Sequence, residues 1–188
     1  RATINWADEI QQTNLSGEDE PLSHDRLTSL RFGVNYSGCP KGCATFDAEI
    51  SRGLAIASRS ASDSARGTPL SRTSGTSTYT HFNVDASYSD NFYRNIQAKV
   101  NFGGQYTDDG LLNSEQASIV GEDKISSLTA GAISGDKVWY IRGQLNYPKQ
   151  LSKNLLFTPY LYSAMGVGFL NKATATENKQ STAKSVGL

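Results

Sequence analysis

Apolar residues recur at every second position over most of the chain, and nowhere is a helical spacing sustained. Leu30, Phe32, Val34 and Tyr36 alternate with Arg31, Gly33 and Asn35, and Phe46, Ala48 and Ile50 alternate with Asp47, Glu49 and Ser51. Phe82, Val84, Ala86 and Tyr88 are interleaved with Asn83, Asp85 and Ser87, and Ile96, Ala98, Val100 and Phe102 with Gln97, Lys99 and Asn101. Trp139, Ile141, Leu145 and Tyr147 continue the pattern against Tyr140, Arg142, Gln144 and Asn146. Side chains of a strand point alternately to opposite faces, so each segment predicts a strand with one apolar and one polar face. The pattern gives six complete strands and a partial one at each end, at 2–6 and 185–188.

The connections between these strands predict an architecture. Short ones fall near 37–44, 89–94 and 148–154, and long ones near 7–26, 58–77, 107–137 and 171–184. A strict alternation of short and long is the habit of outer-membrane barrels, which place short turns in the periplasm and long loops outside. Aromatic residues near the strand ends (Trp6, Tyr36, Tyr79, Tyr88, Phe92, Tyr93, Tyr106, Trp139, Tyr147 and Phe169) suit the two interfacial girdles of such a barrel. The fold class read from the pattern is therefore all-β, an antiparallel transmembrane β-barrel. An open wall in lipid would leave two rows of backbone groups unpaired, so the parent chain is expected to supply further strands.

Composition narrows the partners. The 188 residues carry 18 basic and 18 acidic side chains, so no global field draws the chain to nucleic acid. Mean hydropathy is −0.45, and no run of about 18 apolar residues exists to form a membrane helix. A barrel escapes that test because its strands show lipid only alternate side chains. The chain opens at Arg1 without a charged-then-apolar leader and stops at Leu188 without a terminal aromatic, which reads as a mature fragment cut at both ends.

Candidate chemistry is sparse. Cys39 and Cys43, the two cysteines, are spaced C-P-K-G-C in a turn, which predicts a local disulfide in an oxidising compartment, with two reduced thiols as the alternative. His24 and His81 lie far from them, so no zinc site is expected. No catalytic constellation and no cofactor motif is found, and the chain does not read as an enzyme. Gly103-Gly104 and Gly166-Val167-Gly168 end strands rather than open helices and read as bends or close packing, and Gly135-Asp136 reads as a turn. Arg31, Asp47, Glu49, Asp85, Lys99 and Arg142 all fall on the polar faces and are expected to line a water-filled lumen.

A set of short signatures follows in order along the chain: Asp25-Arg26-Leu27, Glu49-Ile50-Ser51-Arg52-Gly53-Leu54, Pro69-Leu70-Ser71-Arg72, Ser114-Glu115-Gln116-Ala117-Ser118, Ile133-Ser134-Gly135-Asp136, Trp139-Tyr140-Ile141-Arg142-Gly143-Gln144-Leu145 and Pro159-Tyr160-Leu161-Tyr162. Through these, residues 27 to about 169 resemble the transporters of bacterial two-partner secretion, the haemolysin secretion and activation type. The resemblance implies a pore in the outer membrane of a Gram-negative bacterium that exports an unfolded partner exoprotein. It also implies a 16-stranded barrel, of which residues 1–188 are about half, preceded by periplasmic transport domains absent from this chain. Outer-membrane lipid and the exoprotein are then the partners. Residues 107–137 correspond to a lid loop that folds into the pore and whose arginine, in relatives, pairs with an aspartate on the wall. Here the lid motif is Ile125-Ser126-Ser127-Leu128, Ser126 takes the arginine's place, and Ala164 takes the aspartate's. A lid without that pair is expected to be held loosely, and Arg at Ser126 alone or Asp at Ala164 alone is expected to bury an unpaired charge.

Two other functions share part of this pattern. A general porin or substrate-specific channel has the alternation but need not have the signatures. A soluble all-β binding module would pack its apolar faces on each other.

Overall fold

The structure is a computed structural model that describes residues 1–15, 18–59, 67–93, 95–129 and 131–188, with the backbone alone for 13–15, 18–21 and 92. Eight strands form one antiparallel sheet in chain order: β1 (Ala2–Leu15), β2 (Glu18–Gly38), β3 (Cys43–Leu54), β4 (Thr80–Tyr93), β5 (Ile96–Tyr106), β8 (Lys137–Asn146), β11 (Tyr160–Phe169) and β12 (Gln180–Gly187). The remaining four are short pieces inside connections, β6 (Ala117–Ser118) paired with β7 (Ser134–Gly135), and β9 (Lys149–Ser152) paired with β10 (Leu155–Phe157). Among the described residues the only helix is a single 3₁₀ turn at Asn113–Glu115. Each strand follows its neighbour as in an up-and-down barrel wall, and β1 and β12 are the open edges.

Register makes the two faces continuous across strands. Tyr36, Phe46, Ala86, Phe102, Ile141 and Met165 are successive cross-strand partners spanning six strands. Phe32, Ile50, Phe82 and Tyr106 form a parallel band nearer the long loops. Their large side chains are exposed, from 40% at Ile141 to 57% at Tyr36 and Tyr106. On the opposite face Thr45, Ser87, Asn101, Arg142, Ala164 and Ser185 are partners in one row, and the last four are buried under the chain's own loops in whole or in large part. An apolar face this broad with nothing packed on it is a liability in water but is at home against acyl chains. It also rules out the arrangement of a soluble module, where apolar faces cover one another.

Several connections differ from expectation. The segment 7–26 is not a long loop: β1 and β2 stay paired up to Leu15↔Glu18. Beyond the membrane one face meets water and the other is covered near Ser23 and Asp25 by polar contacts to residues 69–71, so the hairpin needs no apolar alternation, and its backbone bonds still pair. The outermost strands are complete rather than partial: β1 runs on to Leu15, and β12 begins at Gln180, not at Ser185. The turn near 148–154 is a larger connection holding the β9–β10 hairpin, closed at its root by Tyr147 N–H donating to Pro159 O at 2.9 Å, with Leu151, Leu155, Leu156 and Phe157 exposed. Part of the stretch 58–77 and Arg94 of the turn 89–94 lie outside the described residues.

The aromatic girdles also need amendment. Tyr36, Tyr88, Tyr93 and Tyr147 sit exposed toward the short-turn rim, and Trp6, Tyr106 and Trp139 toward the long-loop rim. Tyr79 is instead fully buried under the loops, its ring stacked on His81 at 5.2 Å. The Phe92 side chain lies outside the described residues.

Because the Ile141 band faces lipid, Ile141→Arg in the full-length parent should cost about 2–4 kcal/mol of stability in lipid vesicles. The inward Ser87→Arg should cost much less. Denaturant unfolding followed by heat-modifiable gel migration compares the two, and equal costs would contradict the assignment of faces.

Candidate pore-lining face and the loops that plug it

The six polar residues expected in the lumen all lie on the face opposite the exposed apolar band, here called the inner face, and three of them hold residues 107–136. Arg31 on β2 donates from Nη2 to both carboxylate oxygens of Glu115, at 2.9 and 3.0 Å. Lys99 on β5 reaches Asp123 at 2.8 Å. Arg142 on β8 donates from Nη1 to Ser126 Oγ at 2.9 Å and to Lys124 O at 3.2 Å. The others are satisfied within the wall: Asp47 and Glu49 accept from Arg1 Nη2 at 3.2 and 3.3 Å, and Asp85 accepts from Tyr140 OH at 2.6 Å. Between wall and loop remains a cavity of about 280 Å³, lined by Arg31, His81, Asn83, Asp85, Glu115 and Lys124 among others.

Glu115 is buried at the floor of this arrangement, with His81 Nε2 3.2 Å from its Oε2. Burial by itself pushes its carboxyl up and is the largest single effect, but the His81 hydrogen bond and the Arg31 charge outweigh it and hold Glu115 below its ordinary value of 4.5.

At the long-loop rim a second constellation ties three connections together. The Arg72 side chain is 3% exposed and that of Asp136 fully buried, and their Nη1 and Oδ2 atoms are 2.7 Å apart. Arg72 also donates from Nε to Glu177 at 2.8 Å and from Nη2 to Asn171 O at 2.6 Å. Asp136 accepts from the N–H groups of Leu111 (3.0 Å) and Asn171 (2.7 Å) and from Gln116 Nε2 (3.2 Å). A buried ion pair offsets its desolvation only when its remaining hydrogen-bonding capacity is also filled, as it is here. Asp25, buried on β2, accepts from Ser71 N–H at 2.8 Å and from the Ser71 hydroxyl, and Ser71 Oγ in turn accepts from Asn113 N–H at 3.1 Å. Gly53 belongs to the same seam, since a Cβ there would lie 2.1 Å from Ser77 O.

These contacts explain the scattered signatures. Asp25, Gly53, Ser71, Arg72, Glu115 and Asp136 come from five of the quoted motifs, and the fold places them in the contacts that hold the loops. Gly135-Asp136 is therefore not a simple turn: Gly135 lies in β7, and Asp136 is the buried anion on which the loops converge. Gly-Asp has turn composition, so local reading misleads where the partners are distant in sequence.

The segment expected as a lid lies across the inner face on an apolar seat. Ile119, Val120 and Ile125 are buried against Val138, Tyr140, Tyr162 and Ala164, each large side chain contributing about 1.5–3 kcal/mol. Gly166 leaves room for this seat, since a Cβ there would come within 3.3 Å of the Ile119 Cβ and 2.9 Å of Trp139 O. Of the motif positions, Ile125 is fully buried, whereas Ser126, Ser127 and Leu128 are exposed at the tip. The expectation of a loosely held segment gives way to one anchored by an apolar seat, by Arg31, Lys99 and Arg142, and at its roots by Asp136. Sequence reasoning looked for a charged pair and missed the Ile119, Val120 and Ile125 spacing.

Cys39 and Cys43 form a disulfide with Cα atoms 4.0 Å apart, on the rim opposite the long loops. Among the described residues no three His, Cys, Asp or Glu side chains gather in a metal-binding group.

An uncovered apolar face and a polar face covered by the chain's own connections are those of an outer-membrane β-barrel wall. The profile described as "Haemolysin secretion/activation protein ShlB/FhaC/HecB" matches residues 7–188, and the chain belongs to that family of Gram-negative outer-membrane proteins. Its fold is similar to that of CdiB from Escherichia coli, with a TM-score of 0.71 and 19% identity over 98% of this chain and 34% of CdiB. The chain thus spans about a third of that relative's length. No curated protein matches it.

Two outcomes follow. Arg72→Met or Asp136→Asn alone should destabilise the rim by about 3–5 kcal/mol, and the double variant should lose less than their sum by about 1–3 kcal/mol. Trypsin cleavage after Lys172 on intact cells, with denaturant unfolding, measures both; strict additivity would break the pairing. For Glu115 the folded-state ionisation lies below the unfolded one, so its stabilisation is present above about pH 4.5 and is lost as pH falls through the depressed value. Protection factors at residues 111–118, with the intrinsic pH dependence of amide exchange divided out, should therefore fall on acidification below pH 4.5. Glu115→Gln should exchange faster already at neutral pH and lose that acid step.

Proposed function

We propose that the chain is part of a pore that exports an unfolded partner exoprotein across the outer membrane, with residues 107–136 as the lid over its lumen. The observation that carries this reading is the seating of that long connection against the inner wall. A polypeptide-sized path through a barrel must be closed at rest, and here a loop with both roots clasped at the outer rim fills the face where a path would run. The inner face is polar, with Asn83, Asp85, Ser87 and Thr45 beside the charged residues. Weak, distributed polar contacts let an extended chain pass without trapping it, whereas an apolar lumen would bind its hydrophobic side chains.

Lid release has two levels of resistance. The rim clasp is a dense, buried ionic network and is suited to remain intact. The tip rests on the Ile119, Val120 and Ile125 seat and a few hydrogen bonds, so the tip is the part that moves when a substrate enters from the periplasmic side.

A photocrosslinker at Asn83 in the full-length parent, co-produced with the secreted protein it is paired with, should capture that protein during export. The same group at lipid-facing Ile141 should not. Capture at neither position while the protein still reaches the medium would contradict the export path.

A further inference from the structure

Arg142 is a buried cation that makes no direct ion pair. The residue is 5% exposed, no carboxylate lies within ion-pair distance of its guanidinium among the described residues, and the Asp123 carboxylate, near enough to feel its charge, is paired instead with Lys99 at 2.8 Å. Every donor direction recorded for it ends on a neutral acceptor: Ser126 Oγ at 2.9 Å, Lys124 O at 3.2 Å, and Gln144 Oε1 at 2.8 Å from Nη2 and 3.2 Å from Nε. Its flat face lies over the Tyr162 ring, 3.9 Å from the centroid, and the Tyr162 hydroxyl accepts from Ser185 Oγ at 2.9 Å. Two strands of wall thus fix the guanidinium plane, and its free edge points at the lid tip.

From this geometry we infer that Arg142 is the releasable latch of the lid, a positioning residue that holds the tip through one backbone carbonyl and one hydroxyl. The inference rests on the lid role proposed above and assigns its mechanism. Charge-assisted hydrogen bonds to neutral acceptors are directional and strong enough to hold a segment. When they break, neither lid acceptor is left charged, and the guanidinium keeps Gln144 and the Tyr162 face while its edge is wetted by the lumen. A carboxylate partner would be left as a buried unpaired ion on release, and would oppose opening more strongly. The latch is therefore suited to cycling.

The same geometry corrects the expectation for Ala164. Ala164 is the direct cross-strand partner of Arg142 and points to the same face, so an aspartate there would not be unpaired. It would compete with the lid for the guanidinium. Ser126→Arg would instead set a second cation against Arg142.

The test uses the full-length parent in planar bilayers, with heat-modifiability as the check that each variant is folded. Arg142→Met should raise the fraction of time in the open state by about a hundredfold, the factor set by losing both charge-assisted hydrogen bonds to the lid at about tenfold each. It should also expose the bond after Lys124 to trypsin. Arg142→Lys, which can reach one acceptor but not both, should fall between it and the parent. Ala164→Asp should open the lid by competing for Arg142 while Arg142 is present, and should be tolerated worse in the Arg142→Met background, where its carboxylate is left buried and unpaired in the apolar seat. Ser126→Ala, which leaves the wall untouched, should give a smaller increase. The latch is overturned if Arg142→Met leaves conductance and cleavage unchanged, or if Ala164→Asp acts equally without Arg142. None of these readouts involves the exoprotein, so a working latch in a barrel that exports nothing would defeat the export reading alone.

Discussion

The structure depends on one constraint, that every backbone N–H and C=O crossing lipid must be paired within the protein. An eight-stranded antiparallel ladder meets it everywhere except at β1 and β12. Once the ladder is fixed, a strand's period of two assigns each side chain to lipid or lumen without further choice. The uncovered band through Phe46, Phe102 and Ile141 and the inward row through Asn101, Arg142 and Ala164 are two consequences of one register. The short connections gather at one rim and the large loops at the other for the same reason.

That register leaves the inner face without a core of its own. A soluble sheet acquires one from a second sheet or a helix layer, whereas here the cover comes from connections. Loops carry many backbone polar groups and few apolar residues, so they need specific polar anchors. The Arg72–Asp136 pair, the Asp25–Ser71 bonds and the Arg31–Glu115 fork provide them at the rim and the floor. The tip of the proposed lid lies farther from the rim and takes an apolar seat and the Arg142 contacts instead. Stability therefore grades from the clasped roots to the tip, which is the gradient a gate requires.

The strands were legible from sequence because alternation is a local signal that survives wherever one face meets lipid. It failed in 7–26, where the hairpin rises past the membrane and both faces are polar. Parity alone puts Arg31, Lys99 and Arg142 on the face opposite the exposed apolar band, without naming their partners. The partners were not legible. Glu115, Asp123 and Asp136 sit in turn-rich sequence, and what pairs them with distant strands is the sheet order. Ser126 and Ala164, the positions expected for a lid arginine and a wall aspartate, carry no charge, while a cation, Arg142, stands on the neighbouring strand opposite Ala164.

The central claim is that residues 107–136 lie inside the barrel against this wall. Asn101 Nδ2 donates to Asp123 O at 3.1 Å, and their side chains are in contact. In outer membranes carrying the full-length parent, cysteines placed by Asn101→Cys and Asp123→Cys should join on mild oxidation, since Cys39 and Cys43 are already bonded to each other. The account predicts efficient bonding for that pair and none for Val100→Cys with Asp123→Cys, because Val100 faces lipid. Bonding through Val100 as readily as through Asn101, or through neither, would contradict it.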